Sequence, residues 1–119
     1  MIKRIGLLHH PKLPATQPTA AAMARESDKY GVEAWMGSTW DEEAVLAEID
    51  RLDLLVTLGG DGSILRAARM AGSHGVPVLG IKMGRLGFMA ELDPDQWSAA
   101  LPQLLAGDYW IEEVRLEEL

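Results

Sequence analysis

The chain has 119 residues, which suits one domain with a single core, and we expect residues 1–119 to form that domain. A net charge of −7 argues against broad binding to DNA or RNA, the absence of cysteine excludes disulfides and thiolate metal sites, and no apolar run is long enough to cross a bilayer. The first residues carry no signal-peptide pattern, so we expect a soluble cytoplasmic protein.

The first half of the chain predicts two strands and two helices. In chain order they are a buried strand at Ile5–Leu8, a helix at Thr19–Lys29, a strand at Val32–Trp35 and a helix that Asp41 caps and that runs through Ile49. Pro11, Pro14 and Pro18 are expected to keep the chain out of helix before Thr19, and Gly31 is expected to stop that helix.

The second half continues the alternation. In chain order it predicts a strand at Leu54–Leu58, a helix from Ile64 to about Ala71, a strand at Val76–Ile81, a helix opened by Asp93 and Pro94, and a strand at Tyr109–Val114. Alternating strands and helices predict an α/β fold, a mainly parallel sheet of about four strands flanked by helices. In such folds, ligands bind beyond the carboxyl ends of the strands.

A glycine-rich loop follows the third predicted strand, where Leu58 leads into Gly59, Gly60, Asp61 and Gly62. Glycine permits positive φ and close approach of a ligand, and the free amides of a helix start can bind phosphate oxygens. A carboxylate at a phosphate site should face a hydroxyl group or a magnesium ion. The alternative is a tight strand-to-helix turn in which Asp61 caps the helix. The spacing fits neither the Walker A pattern nor the Rossmann fingerprint.

A second loop follows the fourth predicted strand. Gly84 and Gly87 permit a tight turn, and Phe88 either offers an apolar plate to a nucleobase or packs in the core. Phe88 is the only phenylalanine of the chain and lies beside a glycine loop, so contact with a nucleobase and packing in the core both stay open.

Several other residues are of types that can bind ligands. His9 and His10 lack a nearby third ligand, so we interpret them as loop histidines near a phosphate donor rather than as zinc ligands. Arg66 and Arg69 follow the glycine loop, and a solvated helix face is favoured over contact with a phosphate. The tryptophans are spread along the chain and are interpreted as core or interface residues: Trp35, Trp40, Trp97 and Trp110.

The two glycine motifs at this spacing resemble the N-terminal half of NAD kinases. The resemblance rests on Gly59–Ser63, Val76–Ile81 and Gly84–Phe88, and it extends to Ile5–Lys12 and to Arg115 and Leu116 near the ends. The glycine–aspartate motif alone is shared with diacylglycerol kinases, sphingosine kinases and phosphofructokinases. The resemblance implies an enzyme that phosphorylates the 2′-hydroxyl of the adenosine ribose of NAD to give NADP.

The resemblance also implies a role for individual residues. Asp61 would be the catalytic residue, engaging the ribose hydroxyl as general base or orienter. Gly59 and Gly60 would shape the phosphate-binding turn, and Gly62 would allow close approach of the nucleotide. The adenine pocket would be lined by two further residues, Leu65 and Phe88. The donor would be ATP or polyphosphate with Mg²⁺ or another divalent cation. The partners would be small-molecule nucleotides, with no nucleic acid and no membrane, and the full-length protein would be a homo-oligomer.

Three departures from the family pattern qualify this interpretation. Family members usually carry Asn where this chain has Lys82, so no role carries over to that position, and Met89 replaces a usual apolar or aromatic residue. The family's C-terminal β domain, with its nucleotide-gripping Asn-Glu or Asn-Asp pair, is not in this chain, which contains no Asn. We therefore expect the isolated chain to be inactive. A lipid kinase of the diacylglycerol kinase type and a non-catalytic nucleotide-binding module remain the alternatives.

Overall fold

The computed structural model of this chain describes residues 2–82. The predicted helix from Asp93 and the predicted strand at Tyr109–Val114 lie outside the described residues. The second glycine loop with Phe88, and two of the tryptophans, Trp97 and Trp110, lie outside them as well.

Strands and helices alternate through the described part of the chain, as predicted. The elements are β1 (Arg4–His9), α1 (Thr16–Asp28), β2 (Glu33–Ser38), α2 (Glu42–Glu48) with a single 3-10 turn (Ile49–Arg51), β3 (Leu54–Gly59), α3 (Asp61–Gly72) and β4 (Val78–Lys82). The predicted α/β class is confirmed, and each of the four predicted strands of this region overlaps an observed one.

The four strands form one parallel sheet in the order β2-β1-β3-β4. Alternate side chains of each strand point to opposite faces of the sheet. On one face, Leu7 packs with residues of α1, and on the other face Leu8 packs with residues of α2 and α3. Across the sheet, the chain thus moves in one direction from β1 to β2 and in the opposite direction from β2 to β3 and on to β4. Opposite directions with helices on opposite faces are what right-handed crossovers require.

The core lies on both faces of β3, whose six residues are all buried. The face covered by α1 contains Leu54, Val56 and Leu58, and the face covered by α2 and α3 contains Leu55. Because each fully buried aliphatic side chain contributes about 1.5–3 kcal/mol, this strand is the most firmly held element of the sheet. The loop that follows it therefore starts from a rigid position.

Two helices begin earlier than the sequence predicted. Helix α1 begins at Thr16 rather than Thr19 and contains Pro18 in its first turn. The prediction was wrong because the first amides of a helix have no intrahelical acceptor, so a proline there removes no hydrogen bond. Helix α3 begins at Asp61 rather than Ile64, because the helix starts directly after the N-cap Gly60. The predicted cap of α2 is confirmed, since Asp41 accepts a hydrogen bond from the Ala44 amide at 3.2 Å.

Side-chain bonds close the amino ends of the strands. The Asp53 carboxylate accepts hydrogen bonds from the Lys3 and Arg4 amides at 2.8 and 3.0 Å. The Arg4 guanidinium contacts the carboxylates of both Glu33 and Glu48, and its hydrogen bond with Glu48 is the main cause that raises the pKa of Arg4. This edge of the sheet is thus tied by polar contacts between strands, and the glycine loop lies at the opposite edge.

Candidate functional site

The glycine loop lies at the point where the winding of the sheet reverses. Strands β1 and β3 are neighbours, and the helices that follow them, α1 and α3, leave toward opposite faces of the sheet. Such a reversal opens a crevice at the carboxyl ends of the two strands, where open α/β sheets bind their ligands. The register also pairs Gly59 with Lys82, so the chain enters the second glycine motif beside the first.

Gly59 is a glycine that the fold itself requires. Its φ is +154°, a backbone region that side-chain-bearing residues rarely adopt. A Cβ atom at this position would lie 2.5 Å from the hydroxyl oxygen of Ser63 and 3.3 Å from Cδ2 of His10. The close packing of Ser63 and His10 against this backbone therefore accounts for Gly59 without any ligand.

Gly60 and Gly62 differ from Gly59, because packing does not demand a glycine at either position. Apart from its chain neighbours and the backbone of α3, a Cβ atom on Gly60 or on Gly62 would meet no described atom within 4 Å. The first hydrogen bond of α3 runs from the Ile64 amide to the Gly60 carbonyl oxygen at 3.1 Å. The amides of the first three helical residues consequently have no acceptor within the helix, and the positive end of the helix dipole lies there.

Asp61 is the first residue of α3 and is exposed to solvent. The N-cap position belongs to Gly60, which has no side chain. Asp61 therefore does not occupy the N-cap position that the capping interpretation gives it. Leu65 follows four residues later on the same helix face and is half-buried. The structure thus brings Asp61 and Leu65 to one side of the helix start.

The β1–α1 loop borders the glycine loop and is held by Thr16. The His10 amide donates a hydrogen bond to Thr16 Oγ1 at 2.8 Å, and the Thr16 hydroxyl donates one to the Leu13 carbonyl oxygen at 2.7 Å. Nδ1 of His10 accepts a hydrogen bond from the Lys12 amide at 2.9 Å. Burial, followed by the charge of Lys12, lowers the pKa of His10. Since Nδ1 is an acceptor, the neutral ring carries its proton on Nε2.

Trp40 and Arg66 complete this edge, and sequence reasoning missed their association. The rings of His10 and Trp40 have centroids 4.4 Å apart, and the Arg66 guanidinium lies over the Trp40 ring, 4.6 Å from its centroid. Trp40 is 41% exposed, so of the two predicted positions, core or interface, it does not occupy the core. Trp35, by contrast, packs against the core under α2 and α3. Arg66 is exposed but rests on an aromatic ring, so a merely solvated helix face does not describe it.

The described residues contain neither a cluster of metal ligands nor a helix that could span a membrane. No group of three or more His, Cys, Asp or Glu side chains there could hold a metal ion. Within residues 2–82, none of the helices has both the length and the apolar character needed to cross a bilayer.

The fold and the loop define an α/β domain with a glycine-rich turn at the start of a helix, at the switch point of a parallel sheet. Residues 8–109 match the family model of the ATP-NAD kinase N-terminal domain, and the chain belongs to that family. Membership of this family favours the interpretation of the Gly-Gly-Asp-Gly loop as that of an NAD kinase domain over its interpretation as that of a lipid kinase.

Named relatives agree with the family. The chain is 38% identical over 118 residues to an NAD kinase of Dehalococcoides mccartyi, covering 99% of this chain and 42% of the relative. It is 52% identical over 63 residues to an NAD kinase of Heliobacterium modesticaldum, covering 53% of this chain and 22% of the relative. It is 37% identical over 120 residues to one of Escherichia coli, covering 93% and 41%. The chain thus spans less than half the length of these relatives.

Proposed function

We propose that the complete protein is an NAD kinase that transfers a phosphoryl group to the 2′-hydroxyl of the adenosine ribose of NAD, giving NADP. The donor is ATP or polyphosphate, and Mg²⁺ or another divalent cation accompanies it. Family membership supports the reaction, and the position of Asp61 carries its assignment to this loop. An exposed carboxylate begins a helix beside two glycines that packing leaves open.

The glycine turn binds phosphate in this proposal. The amides of Asp61, Gly62 and Ser63 lack acceptors within the helix and lie at the positive end of its dipole. The open space at Gly60 and Gly62 allows a nucleotide to approach the backbone directly. Gly59 sets the direction of the turn through its positive φ.

Asp61 acts on the ribose hydroxyl. Its carboxylate accepts the hydroxyl proton, or holds the hydroxyl in line with the donor phosphate, while the bond from the ribose oxygen to the terminal phosphorus forms. The bond from that phosphorus to the bridging oxygen of the donor breaks in the same step, and the shortened donor leaves with the bridging oxygen. Phosphoryl transfer depends mainly on positioning and electrostatics, so a carboxylate at a helix start, two residues beyond a buried strand, is suited to the task. One carboxylate also fits Mg²⁺, which usually takes one or two protein carboxylates together with substrate phosphates and water.

The adenine pocket forms around Leu65 and Phe88. Leu65 lies one helical turn beyond Asp61 on the same face, which suits an adenine attached to the ribose that Asp61 contacts. The pairing of Gly59 with Lys82 brings the chain to the same sheet edge six residues before Phe88. Leu65 therefore lies on the helix that follows the glycine loop, and Phe88 follows in sequence a strand whose last residue, Lys82, pairs with Gly59.

The remaining assignments follow from the family and the charge. The ligands are small-molecule nucleotides, and the net charge of −7 argues against nucleic acid as a partner. The active protein combines this domain with a second, C-terminal domain, works in the cytoplasm without a membrane partner and is a homo-oligomer. The 119-residue chain by itself does not turn over.

The decisive experiment compares Asp61→Asn with Glu42→Gln in the complete protein. Glu42 is the matched control, because it is likewise an exposed acid at the first residue of a helix, α2, but has no glycine loop beside it. Both substitutions remove one favourable charge from a helix dipole. Asp61→Asn should lower kcat for NADP formation at least about a hundredfold, the lower range of general-base contributions. Glu42→Gln should leave kcat within about twofold, and both melting temperatures should move by only a few degrees.

Two outcomes would contradict the proposal. If the Asp61→Asn enzyme retains its kcat, Asp61 has no catalytic role. A wild-type protein that binds NAD in a titration but forms no NADP with ATP or polyphosphate and magnesium is a nucleotide-binding module rather than a kinase.

A further inference from the structure

We infer that His10, Trp40 and Arg66 form a binding surface for an oligophosphate chain, the part of the phosphate donor that leaves after transfer. The inference rests on the proposed function, because it extends the glycine loop along the carboxyl edge of the sheet. The chemistry recognised is a condensed phosphate, whether it comes from a nucleoside triphosphate or from inorganic polyphosphate.

The three side chains form a continuous line of contacts that starts at the glycine loop. The His10 ring lies against Gly59, with Cδ2 3.3 Å from the place where a Cβ atom would be. Trp40 contacts His10, and Arg66 lies over Trp40. His10 follows β1, Trp40 follows β2, and Arg66 belongs to the helix after β3, so three successive carboxyl ends contribute. A chain-like ligand whose terminal phosphate sits on the helix start can run along this line.

Arg66 is the charged group of this surface, and its guanidinium contacts the Trp40 ring. Side chains of a helix lean toward its N-terminus, so Arg66 extends over the turn that contains Gly62, four residues earlier. Gly62 has no side chain to obstruct it, and the Trp40 ring supports the guanidinium plane. In residues 2–82, no carboxylate lies within ion-pair distance of Arg66. An arginine fork held in this way suits phosphate oxygens.

The β1–α1 loop adds two further donors. With Nδ1 accepting from the Lys12 amide, neutral His10 presents an Nε2 proton, and the exposed Lys12 side chain belongs to the same loop. Of the acids that follow Trp40, Asp41 caps α2 and accepts a hydrogen bond from the Ala44 amide, and Glu42 and Glu43 belong to the first turn of α2. Lys12 and Arg66 thus supply two positive charges, and neutral His10 a hydrogen-bond donor, at this end of the sheet, which suits an anionic ligand.

The test uses Arg66→Met in the complete protein, with Arg69→Met as the matched control. Methionine keeps a flexible apolar stem and removes the charge. Arg69 lies on the same helix and is exposed, but it is in the last turn, away from the loop. The KM for the donor should rise about tenfold in Arg66→Met, equivalent to about 1.4 kcal/mol, while the KM for NAD stays within twofold. Arg69→Met should change neither constant. Arg66→Lys, which keeps the charge but loses the planar fork, should fall between Arg66→Met and wild type.

A second measurement separates this inference from the proposed function. Inorganic tripolyphosphate is titrated calorimetrically into wild type and Arg66→Met, with no NAD and no turnover required. Binding about tenfold weaker in the variant supports the surface even if the wild type forms no NADP. Equal binding of tripolyphosphate to both proteins overturns the inference. So does a donor KM that is unchanged, or one that rises only in parallel with the KM for NAD, in an active enzyme. A lower melting temperature with unchanged KM values would mean that Arg66 on Trp40 is only a structural contact.

Discussion

Alanine substitutions at the three loop glycines should separate the glycine that folding needs from those that a ligand needs. At Gly59, a new Cβ atom would lie 2.5 Å from Ser63 Oγ and would have to adopt a φ of +154°. Such backbone strain costs about 1–3 kcal/mol, and overpacking costs a further 1–3 kcal/mol. We therefore expect Gly59→Ala to lower the free energy of unfolding by about 2–6 kcal/mol.

The same change at Gly60 or Gly62 meets open space. Gly60 has extended backbone angles, φ −109° and ψ −166°, which alanine adopts without strain, and Gly62 lies within the first turn of α3. Replacing a glycine of ordinary conformation by alanine stabilises by about 0.4–1 kcal/mol, mainly through the unfolded chain. Gly62→Ala should thus be neutral or slightly more stable, while a methyl group on the nucleotide side of the turn should weaken NAD or donor binding.

Urea unfolding of the complete protein, followed by tryptophan fluorescence, measures the stability part, and NAD titration measures the binding part. A double variant, Gly59→Ala with Ser63→Ala, tests the cause. Removing the hydroxyl relieves the closest contact, so the double variant should recover part of the lost stability, and the backbone part should remain. If Gly59→Ala and Gly62→Ala proved equally stable, the conclusion that packing requires a glycine at position 59 but not at position 62 would be refuted.

Three further predictions concern the edges of the site. Thr16→Val removes the acceptor of the His10 amide and should lower stability by about 1–3 kcal/mol, whereas Thr19→Val, in the same helix but less buried, should stay within about 0.5 kcal/mol. Asp41→Ala removes the cap of α2 and should cost about 1 kcal/mol by urea unfolding, a loss that Glu42→Ala should not reproduce. His10 has a lowered pKa in the folded protein, so below its ordinary value of 6.5 the unfolded chain binds more protons than the folded one. The free energy of unfolding should therefore decrease as the pH falls below 6.5, and His10→Gln should flatten that decrease; an unchanged pH profile in His10→Gln would contradict it.

Apolar patterning was enough to predict the sheet. The run Leu54–Leu58 has no polar alternation because both of its faces are covered, and the structure buries all six residues of β3. Helix starts were harder, since a proline in a first turn and a proline that prevents a helix look alike in sequence. Pro18 belongs to the first kind. The turn before it is already formed, because the Thr16 hydroxyl donates a hydrogen bond to the Leu13 carbonyl oxygen.

The line from Gly59 through His10 and Trp40 to Arg66 could not be predicted from sequence, because it depends on strand order. His10 and Trp40 are 30 residues apart, and Arg66 lies a further 26 along the chain. They meet because β1 lies between β2 and β3, so that the three carboxyl ends adjoin. The glycines of the loop likewise could not be told apart from sequence alone. Gly59 and Gly62 are equivalent in the sequence, and only the positions of Ser63 and His10 in the fold distinguish them. Packing explains the first glycine and leaves the second without a structural reason. Gly62, beside the exposed Asp61, is therefore the position where close approach of a ligand accounts for a glycine.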